Sequence, residues 1–288
     1  MNPVALDAWA VTDAGRRRKV NEDSYLCEFP LFLVADGLGG YDAGDVASAA
    51  AIASFAPLCG RADLDPDEVV TQVRAAHDAV ASVSAGTEHG AACTLTGVAV
   101  VRRPDGPHWL LVNIGDSRVY RLLGGRLEQV THDHSEVQEL VDAGQLGRDE
   151  MATYAGRNVI TRALGADGSV PDYWLMPVIA GERLLACSDG LYTEVSEDRL
   201  AEHLAAGAPP GVTARRLLAA ALDAGGRDNV TVLVVDVVAG GADPSVLGPE
   251  WSAGVDEPDV MDELDEDTVV PEGRARRRPG RAEGGGDE

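Results

Sequence analysis

The sequence has few features of a membrane, secreted or nucleic-acid-binding protein. No apolar stretch approaches the ~20 uninterrupted residues that cross a bilayer. Residues 1–7 show neither the basic start nor the apolar core of a secretion signal. Lysine occurs once, at Lys19, and the formal net charge is −24 at pH 7. This net charge argues against a basic face that would neutralise nucleic-acid phosphates. The sequence therefore predicts a cytoplasmic protein with no nucleic-acid partner and no membrane span.

Cysteine is also scarce, and its spacing excludes two kinds of site. The four cysteines, at positions 27, 59, 93 and 187, are far apart and form no Cys-x-x-Cys pair. Each lies in or beside an apolar run, which is typical of a reduced, buried thiol. The pattern therefore favours neither a disulfide framework nor a zinc–thiolate site.

The chain divides into an ordered part and a tail. An apolar share of 45% in 288 residues is enough for a large core. This patterning continues through residues 1–238 and stops in 239–288, where residues 256–267 are dense in acid and residues 274–281 are basic. Blocks of like charge with low hydrophobicity predict a disordered tail. Within it, Thr268 stands alone among acids, so the tail either docks a phosphothreonine reader at a phosphorylated Thr268 or only aids solubility.

The ordered part alternates strands and helices without a repeating βαβ pattern, which predicts an α+β fold with antiparallel sheets. Hydrophobic periodicity and turn residues predict strands at residues 4–11, 31–35, 95–101, 109–114, 119–123, 127–130, 173–176, 183–187 and 231–238. They predict helices at 45–58, 65–84, 135–143, 196–206 and 212–224. Residues 145–156 are polar and poorly periodic, and we expect a mobile flap there.

Five short segments place an acid beside a glycine, an asparagine or a second acid at the end of an apolar run. They are Asn21-Glu22-Asp23, Ala35-Asp36-Gly37, Ile114-Gly115-Asp116-Ser117-Arg118, Ser188-Asp189-Gly190 and Arg227-Asp228-Asn229. Taken singly, these segments are typical of exposed acids or hairpin turns, and the run of residues 16–19 is typical of a solvated basic stretch. Taken together, they predict oxygen ligands gathered around hard divalent cations.

The chemistry of such a site follows from its ligands. Carboxylates without matching His or Cys select manganese or magnesium over zinc or copper. Arg18, just ahead of the first acid, is suited to holding a phosphoryl group. Two metal ions can activate water for attack on phosphorus, and the chain has neither a nucleotide-binding P-loop nor a Gly-x-Ser-x-Gly elbow. Hydrolysis of a phosphate ester by metal-activated water is the resulting hypothesis.

Six motifs in order resemble those of the metal-dependent protein phosphatases (PPM, type 2C), and most of all the compact bacterial branch. The resemblance covers about residues 6–238 and rests on Arg18-Lys19-Val20-Asn21-Glu22-Asp23, Val34-Ala35-Asp36-Gly37-Leu38-Gly39-Gly40, Ile114-Gly115-Asp116-Ser117-Arg118, Thr131-His132-Asp133-His134-Ser135, Ser188-Asp189-Gly190 and Gly226-Arg227-Asp228-Asn229-Val230-Thr231. It implies a central sandwich of two antiparallel β-sheets flanked by α-helices. It also implies a serine/threonine phosphatase that acts on phosphorylated proteins and opposes a protein kinase.

The resemblance also implies roles for individual residues at a centre of two Mn²⁺ or Mg²⁺ ions. Asp36 would bridge the ions, Asp189 and Asp228 would complete one of them, and Glu22 with the Gly37 carbonyl would hold the other. A backbone oxygen approaches an ion closely where no Cβ intrudes, which suits a glycine at position 37.

Further positions match supporting roles in the family. Asp116 would help to hold a weaker third ion, and Arg18 would bind the phosphate. Asp23 and Asn229 would support the ligands from behind. His134 is expected to be a structural histidine with satisfied hydrogen bonds and not a ligand.

The sequence departs from the family pattern at Tyr41. The family usually has a histidine there, which is thought to protonate the leaving group, whereas Tyr has a pKa of about 10 and is a poorer donor at neutral pH. Nearby, the usual Gly-Thr-Thr is Ala92-Cys93-Thr94. Two rival hypotheses therefore stay open, a catalytically weak phosphoprotein-binding relative and a metallohydrolase of small phosphate esters.

Overall fold

The computed structural model describes residues 4–38 and 43–244. Within these residues, ten strands form two five-stranded sheets. In chain order they are β1 (Ala5–Asp13), β2 (Asp23–Glu28), β3 (Leu31–Asp36), β4 (Leu95–Arg103), β5 (Gly106–Ile114), β6 (Arg118–Leu123), β7 (Arg126–Gln129), β8 (Asp172–Pro177), β9 (Arg183–Cys187) and β10 (Val230–Ala239).

The described helices are α1 (Gly44–Ala53), α2 (Pro66–Ser84), α3 (Glu136–Asp142), α4 (Asp189–Tyr192), α5 (Glu197–Ala205) and α6 (Pro210–Ala224), with 3-10 segments at Ala56–Leu58 and Arg148–Thr153. Helices α1 and α2 cover the outer face of one sheet, and α5 and α6 cover that of the other. In the described part of the chain, none of them combines the length and apolar character that crossing a bilayer requires.

The two sheets have the strand orders β1-β10-β9-β6-β7 and β2-β3-β4-β5-β8, and the neighbouring strands in each are antiparallel. The predicted α+β sandwich of two antiparallel sheets flanked by helices is confirmed. In both sheets, the strand ends that carry the acids lie at the same end of the sandwich. Segments that are remote in sequence therefore meet there.

The layering explains why β3 is an unbroken apolar run. Phe32 and Val34 lie in the core between the two sheets, while Leu31, Leu33 and Ala35 lie in the core under α1 and α2. Because both faces of the strand are buried, every position is apolar up to the terminal Asp36. A strand buried in this way holds its last residue in a fixed place.

The N-terminus of α2 is built as the sequence predicts. Asp65 accepts a hydrogen bond from the Asp67 amide, Glu68 accepts one from the Asp65 amide, and Pro66 occupies the first helical position. Such caps typically stabilise a helix by about 1 kcal/mol. The helix packs its buried valines, among them Val69 and Val73, into the core under the sheet.

One local prediction was wrong, and one strand was missed. The helix predicted at 45–58 ends at Ala53, since Pro57 has no N–H to donate to the Ala53 carbonyl, and the chain continues as a 3-10 segment. The edge strand β2 was not predicted, because its polar residues hide the alternation. The segment predicted to be a mobile flap, 145–156, contains the 3-10 segment Arg148–Thr153, and its mobility stays a prediction.

A charged pair lies between the sheets, away from the acid-bearing end. The Arg121 guanidinium donates to Glu182 over 2.6 Å, and neither side chain is exposed to solvent. Glu182 also accepts hydrogen bonds from the Trp109 indole (2.6 Å) and from the Ile179 amide (2.7 Å). This network joins β5, β6 and the turn before β9, so it ties one sheet to the other.

The predicted domain boundary between residues 238 and 239 falls beside the end of β10 at Ala239. Beyond it, the Ala242 amide still donates to the Val178 carbonyl over 2.7 Å. Residues 245–288 lie outside the described range, and so do Thr268 and most of the predicted tail.

Candidate functional site

Two aspartates face each other at the shared end of β2 and β3. Asp23 and Asp36 are directly paired residues of these antiparallel strands. The Asp23 Oδ2 atom accepts hydrogen bonds from the Ser188 and Thr231 hydroxyls, each over 2.7 Å. Because Ser188 follows β9 and Thr231 lies on β10, this one carboxylate joins both sheets at the acid-bearing end.

Thr94 fixes the position of Asp36. Its hydroxyl accepts the Asp36 amide over 3.0 Å, and its own amide donates to the Asp36 carbonyl over 2.8 Å. The same hydroxyl is 2.8 Å from the hydroxyl of Ser117. Thr94 and Ser117 thereby link Asp36, at the end of β3, to the turn between β5 and β6 that carries Asp116.

Asp116 lies in the turn between β5 and β6. The turn requires Gly115, whose φ of 104° is in the region that favours glycine. The Tyr192 hydroxyl donates to the Asp116 carbonyl over 2.9 Å, and the Arg118 guanidinium lies 3.7 Å from the centre of the Tyr192 ring. The Tyr192 hydroxyl thus holds the Asp116 backbone, Arg118 packs on Tyr192, and the Asp116 side chain is buried.

Asp189 and Asp228 come together because their segments pack without a gap. Asp189 begins α4, and a Cβ added to the next residue, Gly190, would lie 2.0 Å from the Asn229 carbonyl oxygen. The Asn229 amide in turn donates to Asp228 Oδ1 over 2.8 Å. Only glycine at 190 permits this approach of α4 to the loop before β10.

Glu22 and Gly37 form the opposite side of the site. The Glu22 amide donates to Asn229 Oδ1 over 2.9 Å, and the Gly37 amide donates to the Glu22 carbonyl over 3.1 Å. A Cβ on Gly37 would lie 2.3 Å from the Gly44 carbonyl oxygen, and one on Gly44 would lie 2.9 Å from Glu22 Oε1. These two glycines leave a cradle beside the Glu22 carboxylate that any other residue would fill.

Arg18 reaches into the site from the loop after β1. Its guanidinium donates to Asp228 Oδ2 over 2.8 Å, and both side chains remain partly exposed. This hydrogen bond, followed by attraction to Asp228, Glu22 and Asp189, raises the pKa of Arg18. Arg18 is therefore a cation that faces Asp228, Glu22 and Asp189 of the site.

The electrostatics of the site are those of carboxylates brought together with too little positive charge. Burial raises the pKa of Asp23 to about 6 and that of Asp116 to about 7. Asp36 and Asp189 keep some exposed surface, but burial and repulsion from the other aspartates hold their pKa values well above the usual range. Ionised together, these groups require compensating cations.

The donor set fits a pair of hard divalent ions. Its members are carboxylate and carbonyl oxygens, and Asp23 Oδ1 is buried and receives no N–H or O–H from the described residues. Asp23 also lies within hydrogen-bonding reach of the Asp36 carboxyl, but such a bond forms only if one of the two is protonated. Within residues 4–38 and 43–244, however, no three His, Cys, Asp or Glu side chains yet surround a common point as ligands do. Cation binding therefore calls for small side-chain rotations from this arrangement.

The structure gathers the predicted site residues at one end of the sandwich, all except Tyr41, which lies outside the described residues. Those gathered are Arg18, Glu22, Asp23, Asp36, Gly37, Asp116, Asp189, Asp228 and Asn229. The hairpin-turn alternatives are wrong for Asp36-Gly37, which is followed by helix α1, and for Asp189-Gly190, which opens α4.

His134 is confirmed as a structural histidine. Its Nδ1 accepts the Gly115 amide over 3.2 Å, and its Nε2 lies 3.0 Å from Asp172 Oδ2. Because Nδ1 is an acceptor, the ring proton is on Nε2 and is donated to Asp172. The ring holds the turn before Asp116 and offers no free nitrogen to an ion.

The sequence analysis missed the hydroxyl and carboxylate groups that hold the acids in place. Ser188, Thr231 and Thr94 contact Asp23 or Asp36. Glu194 accepts from the amide and from the side chain of Arg227, next to Asp228. The only available signal was that Ser188 directly precedes Asp189 at the end of a strand.

Comparison with known proteins gives a consistent result. The profile of the family described as protein phosphatase 2C matches residues 14–223. The chain is 39% identical over 241 residues to the serine/threonine protein phosphatase PstP of Mycobacterium tuberculosis, a match that covers 80% of this chain and 44% of that protein. The chain thus spans less than half the length of this relative. It is also 34% identical over 239 residues to the serine/threonine phosphatase stp of Listeria monocytogenes, covering 78% of this chain and 93% of that one.

Solved structures agree with the sequence relatives. The catalytic domain of the serine/threonine protein phosphatase PstP in complex with two manganese ions superposes with a TM-score of 0.74 at 37% identity, over 82% of this chain and 100% of that one. The PPM Ser-Thr phosphatase MsPP of Mycobacterium smegmatis, in complex with cacodylate, gives a TM-score of 0.70 at 39% identity, over 80% of this chain and 97% of that one.

Proposed function

The chain belongs to the protein phosphatase 2C family, and from this premise we propose that it hydrolyses phosphoserine and phosphothreonine in proteins at a centre of two Mn²⁺ or Mg²⁺ ions. The observation that carries the proposal is the meeting of four aspartates with raised pKa values beside one exposed arginine. Such carboxylates need protons or divalent cations to offset their repulsion, and with divalent cations bound the site is suited to a phosphate dianion.

The ligand roles follow from position in the site. Asp36, at the centre of the repelling group, would bridge the two ions, with Asp189 and Asp228 on one side. Glu22 and the Gly37 carbonyl would serve the other ion, beside the cradle that Gly44 leaves open. Asp116, on its own turn, would take part in holding a weaker third ion. The oxygen donors favour manganese or magnesium, and a relative's catalytic domain contains two manganese ions.

When bound, the cations supply a water of lowered pKa and polarise the phosphoryl group for in-line attack. The chain's own residues orient the substrate. Arg18 presents a planar guanidinium that can bind two phosphate oxygens, and in this structure it uses that capacity on Asp228. Because Arg18 and a bound cation would both need the Asp228 carboxylate, Arg18 would be available to the phosphate in the loaded site.

Asp23 and Asn229 act behind the ligands. The Asn229 side chain accepts the Glu22 amide and donates to the Ala14 and Val20 carbonyls, so it fixes the spacing between Glu22 and the loop that carries Arg18. Asp23, held by Ser188 and Thr231, keeps its unpaired oxygen available to a water in the site. Substrates would be phosphoproteins made by a serine/threonine kinase whose action this enzyme reverses.

A substrate panel tests the proposed function against its rivals. We expect the wild-type chain with Mn²⁺ to hydrolyse a phosphothreonine peptide and an aryl phosphate but not a phosphodiester, and Asp189→Ala to lower both rates by at least about 100-fold. Asp198→Ala, an exposed acid in the first turn of α5, is the matched control and should leave the rates unchanged. Binding of the phosphopeptide without turnover would favour the catalytically weak relative. Turnover restricted to small esters would favour the small-ester metallohydrolase.

A further inference from the structure

One basic segment beside the site is held by backbone contacts that a freely solvated run of residues would not make. Residues 15–19, here called the basic arch, connect two points that a single side chain holds. The Asn229 amide nitrogen Nδ2 donates to the carbonyls of both Ala14 (3.1 Å) and Val20 (2.9 Å), the residues on either side of the arch. Asn229 itself is buried. The two feet of the arch are therefore fixed to the floor of the site.

Further contacts press the arch against the loop that carries Asp228. The Arg16 amide donates to the Gly226 carbonyl over 2.6 Å, and the Gly15 amide donates to Asp13 Oδ1 over 2.8 Å. Gly15 has a φ of 75°, and a Cβ there would lie 2.1 Å from the Asp228 carbonyl oxygen. The arch is therefore packed backbone to backbone against the site, and its side chains are displayed at the rim.

The displayed side chains are cations without counter-charges. Arg16, Arg17 and Lys19 are exposed, and no carboxylate of the described residues forms an ion pair with them. Elsewhere, Arg61 is compensated by Glu68 and Arg227 by Glu194, whereas other exposed arginines, such as Arg103 and Arg126, form no ion pair with the described residues and lie away from the site. Arg18, between the three, turns inward to Asp228.

The rest of the protein has the opposite sign. A chain with a formal net charge of −24 repels acidic peptides at long range. Three cations without ion pairs among the described residues lie within two positions of Arg18 and add positive charge beside the site. A substrate side chain next to a phosphorylated residue would meet this local positive charge first.

We propose that Arg16, Arg17 and Lys19 form a docking surface for acidic side chains that flank the phosphorylated residue, so that acid-flanked phosphopeptides are the preferred substrate class. The proposal rests on the proposed phosphatase function and adds to it the chemistry of the substrate. The anchored feet keep the three cations in place, which lowers the entropy lost when they bind a peptide. Exposed charge pairs are individually weak, so the preference depends on several of them acting together.

The test compares two phosphothreonine peptides of equal length, one with Asp at the positions beside the phosphorylated residue and one with Gln there. The full chain is assayed with Mn²⁺ on both peptides and on an aryl phosphate. The variant is Arg17→Gln combined with Lys19→Gln. Its matched control combines Arg103→Gln with Arg126→Gln. Both arginines are exposed, and they lie in the β4–β5 and β6–β7 hairpins, away from the site.

We expect wild type to prefer the Asp peptide in kcat/KM, and we expect the arch variant to lose about threefold to tenfold on this peptide alone, mostly through KM. Turnover of the Gln peptide and of the aryl phosphate should change by less than about twofold. The control variant should behave as wild type. The preference of the wild type should also weaken as salt is added, because exposed charges are screened.

Several results would overturn the proposal. Equal losses on both peptides would mean that the arch supports the fold or Arg18. A gain on the Gln peptide would mean that the acid-dense residues 256–267 of this chain occupy the arch. If wild type hydrolysed neither peptide, the phosphatase function would fail, and the arch would still be decided by fluorescence anisotropy of the labelled Asp peptide. Equal affinity of wild type and arch variant would then refute the docking surface.

Discussion

Asp23 and Asp36 are cross-strand partners whose carboxyl groups lie within hydrogen-bonding reach of each other at the buried end of β2 and β3. A sheet places paired side chains about 5 Å apart and normally avoids like charges there. The pair is tolerated because Ser188 and Thr231 donate to one oxygen of Asp23 and because cations or protons can reach the others. The remaining aspartates of the site add to the same repulsion, and the consequences can be measured.

The stability of the metal-free protein should fall as pH rises. Burial raises the pKa of Asp23 from 3.8 to about 6 and that of Asp116 to about 7, so the folded protein retains protons that the unfolded chain releases. The free energy of unfolding therefore decreases between about pH 4 and pH 7. The lowered pKa values of Asp172 and Glu194 change the free energy of unfolding only at more acid pH. We expect the Tm of the chelator-treated protein to be lower at about pH 7.5 than at about pH 5.

Mn²⁺ should reverse this trend, raising Tm more at the higher pH, because it stabilises the ionised carboxylates. Asp23→Asn removes one of the repelling charges. It should flatten the pH dependence of the metal-free protein and reduce the gain in Tm from Mn²⁺. A metal-free protein whose Tm rises steadily from pH 5 to pH 7.5 would show that these carboxylates are not strained by their neighbours.

Glu194 should position the loop that carries Asp228. It is almost fully buried and accepts hydrogen bonds from the Arg227 amide (3.0 Å) and from the Arg227 guanidinium (2.8 and 3.0 Å). Groups that orient metal ligands typically contribute about tenfold or more to affinity. We expect Glu194→Gln to weaken Mn²⁺ binding by about tenfold in isothermal titration calorimetry.

The chain offers a matched control for this effect. Glu68 binds Arg61 through the same fork, with distances of 2.7 and 3.1 Å, at the start of α2 and away from the acids. Glu68→Gln should leave Mn²⁺ affinity unchanged. If the two variants lost affinity equally, or neither lost any, Glu194 would be only a surface-loop contact.

The pair between Arg121 and Glu182 should matter for stability and not for the site. Glu182→Ala leaves the Arg121 charge buried and removes the acceptor of the Trp109 and Ile179 N–H groups. Breaking a buried pair in this way costs about 3–5 kcal/mol. Urea unfolding should show this loss, while Glu202→Ala on the exposed face of α5 should change stability by less than about 0.5 kcal/mol. A loss below about 1 kcal/mol for Glu182→Ala would contradict the burial of the pair.

Tyr41 should limit turnover of alkyl phosphates. Phosphoserine and phosphothreonine leave as alkoxides that need a proton, whereas aryl leaving groups do not, and tyrosine is a poor donor at neutral pH. We expect Tyr41→His to raise kcat for a phosphothreonine peptide by about tenfold or more and to leave kcat for an aryl phosphate nearly unchanged. Parallel changes in the two rates would show that residue 41 does not donate the proton.

The acid-bearing segments could be predicted because each is local. Asp36 ends an otherwise apolar strand, and Asp228 lies two residues before the β-branched strand β10. An acid that ends a buried strand is placed at the edge where the acid-bearing strand ends of both sheets meet. The sandwich itself follows from short strands joined by tight turns, as in the Gly124-Gly125 hairpin between β6 and β7.

The supporting contacts could not be predicted, because they join residues that are far apart in sequence. Asn229 holds both Ala14 and Val20, which precede it by more than 200 positions. The local sequence around Glu194 does not indicate its contact with Arg227, because a single acid after a short helix is usually exposed. Strand β2 escaped notice for a related reason: it is an edge strand whose pattern is dictated by what packs on it.

The most direct test of the account is a crystal structure of the protein grown with Mn²⁺, with anomalous scattering used to locate the ions. The account predicts two manganese peaks sharing an oxygen of Asp36, one of them bound by Asp189 and Asp228 and the other beside Glu22 and the Gly37 carbonyl. It also predicts that Arg18 has moved off Asp228. Crystals with saturating Mn²⁺ but no anomalous peak among these oxygens, and with the Arg18–Asp228 ion pair intact, would contradict it.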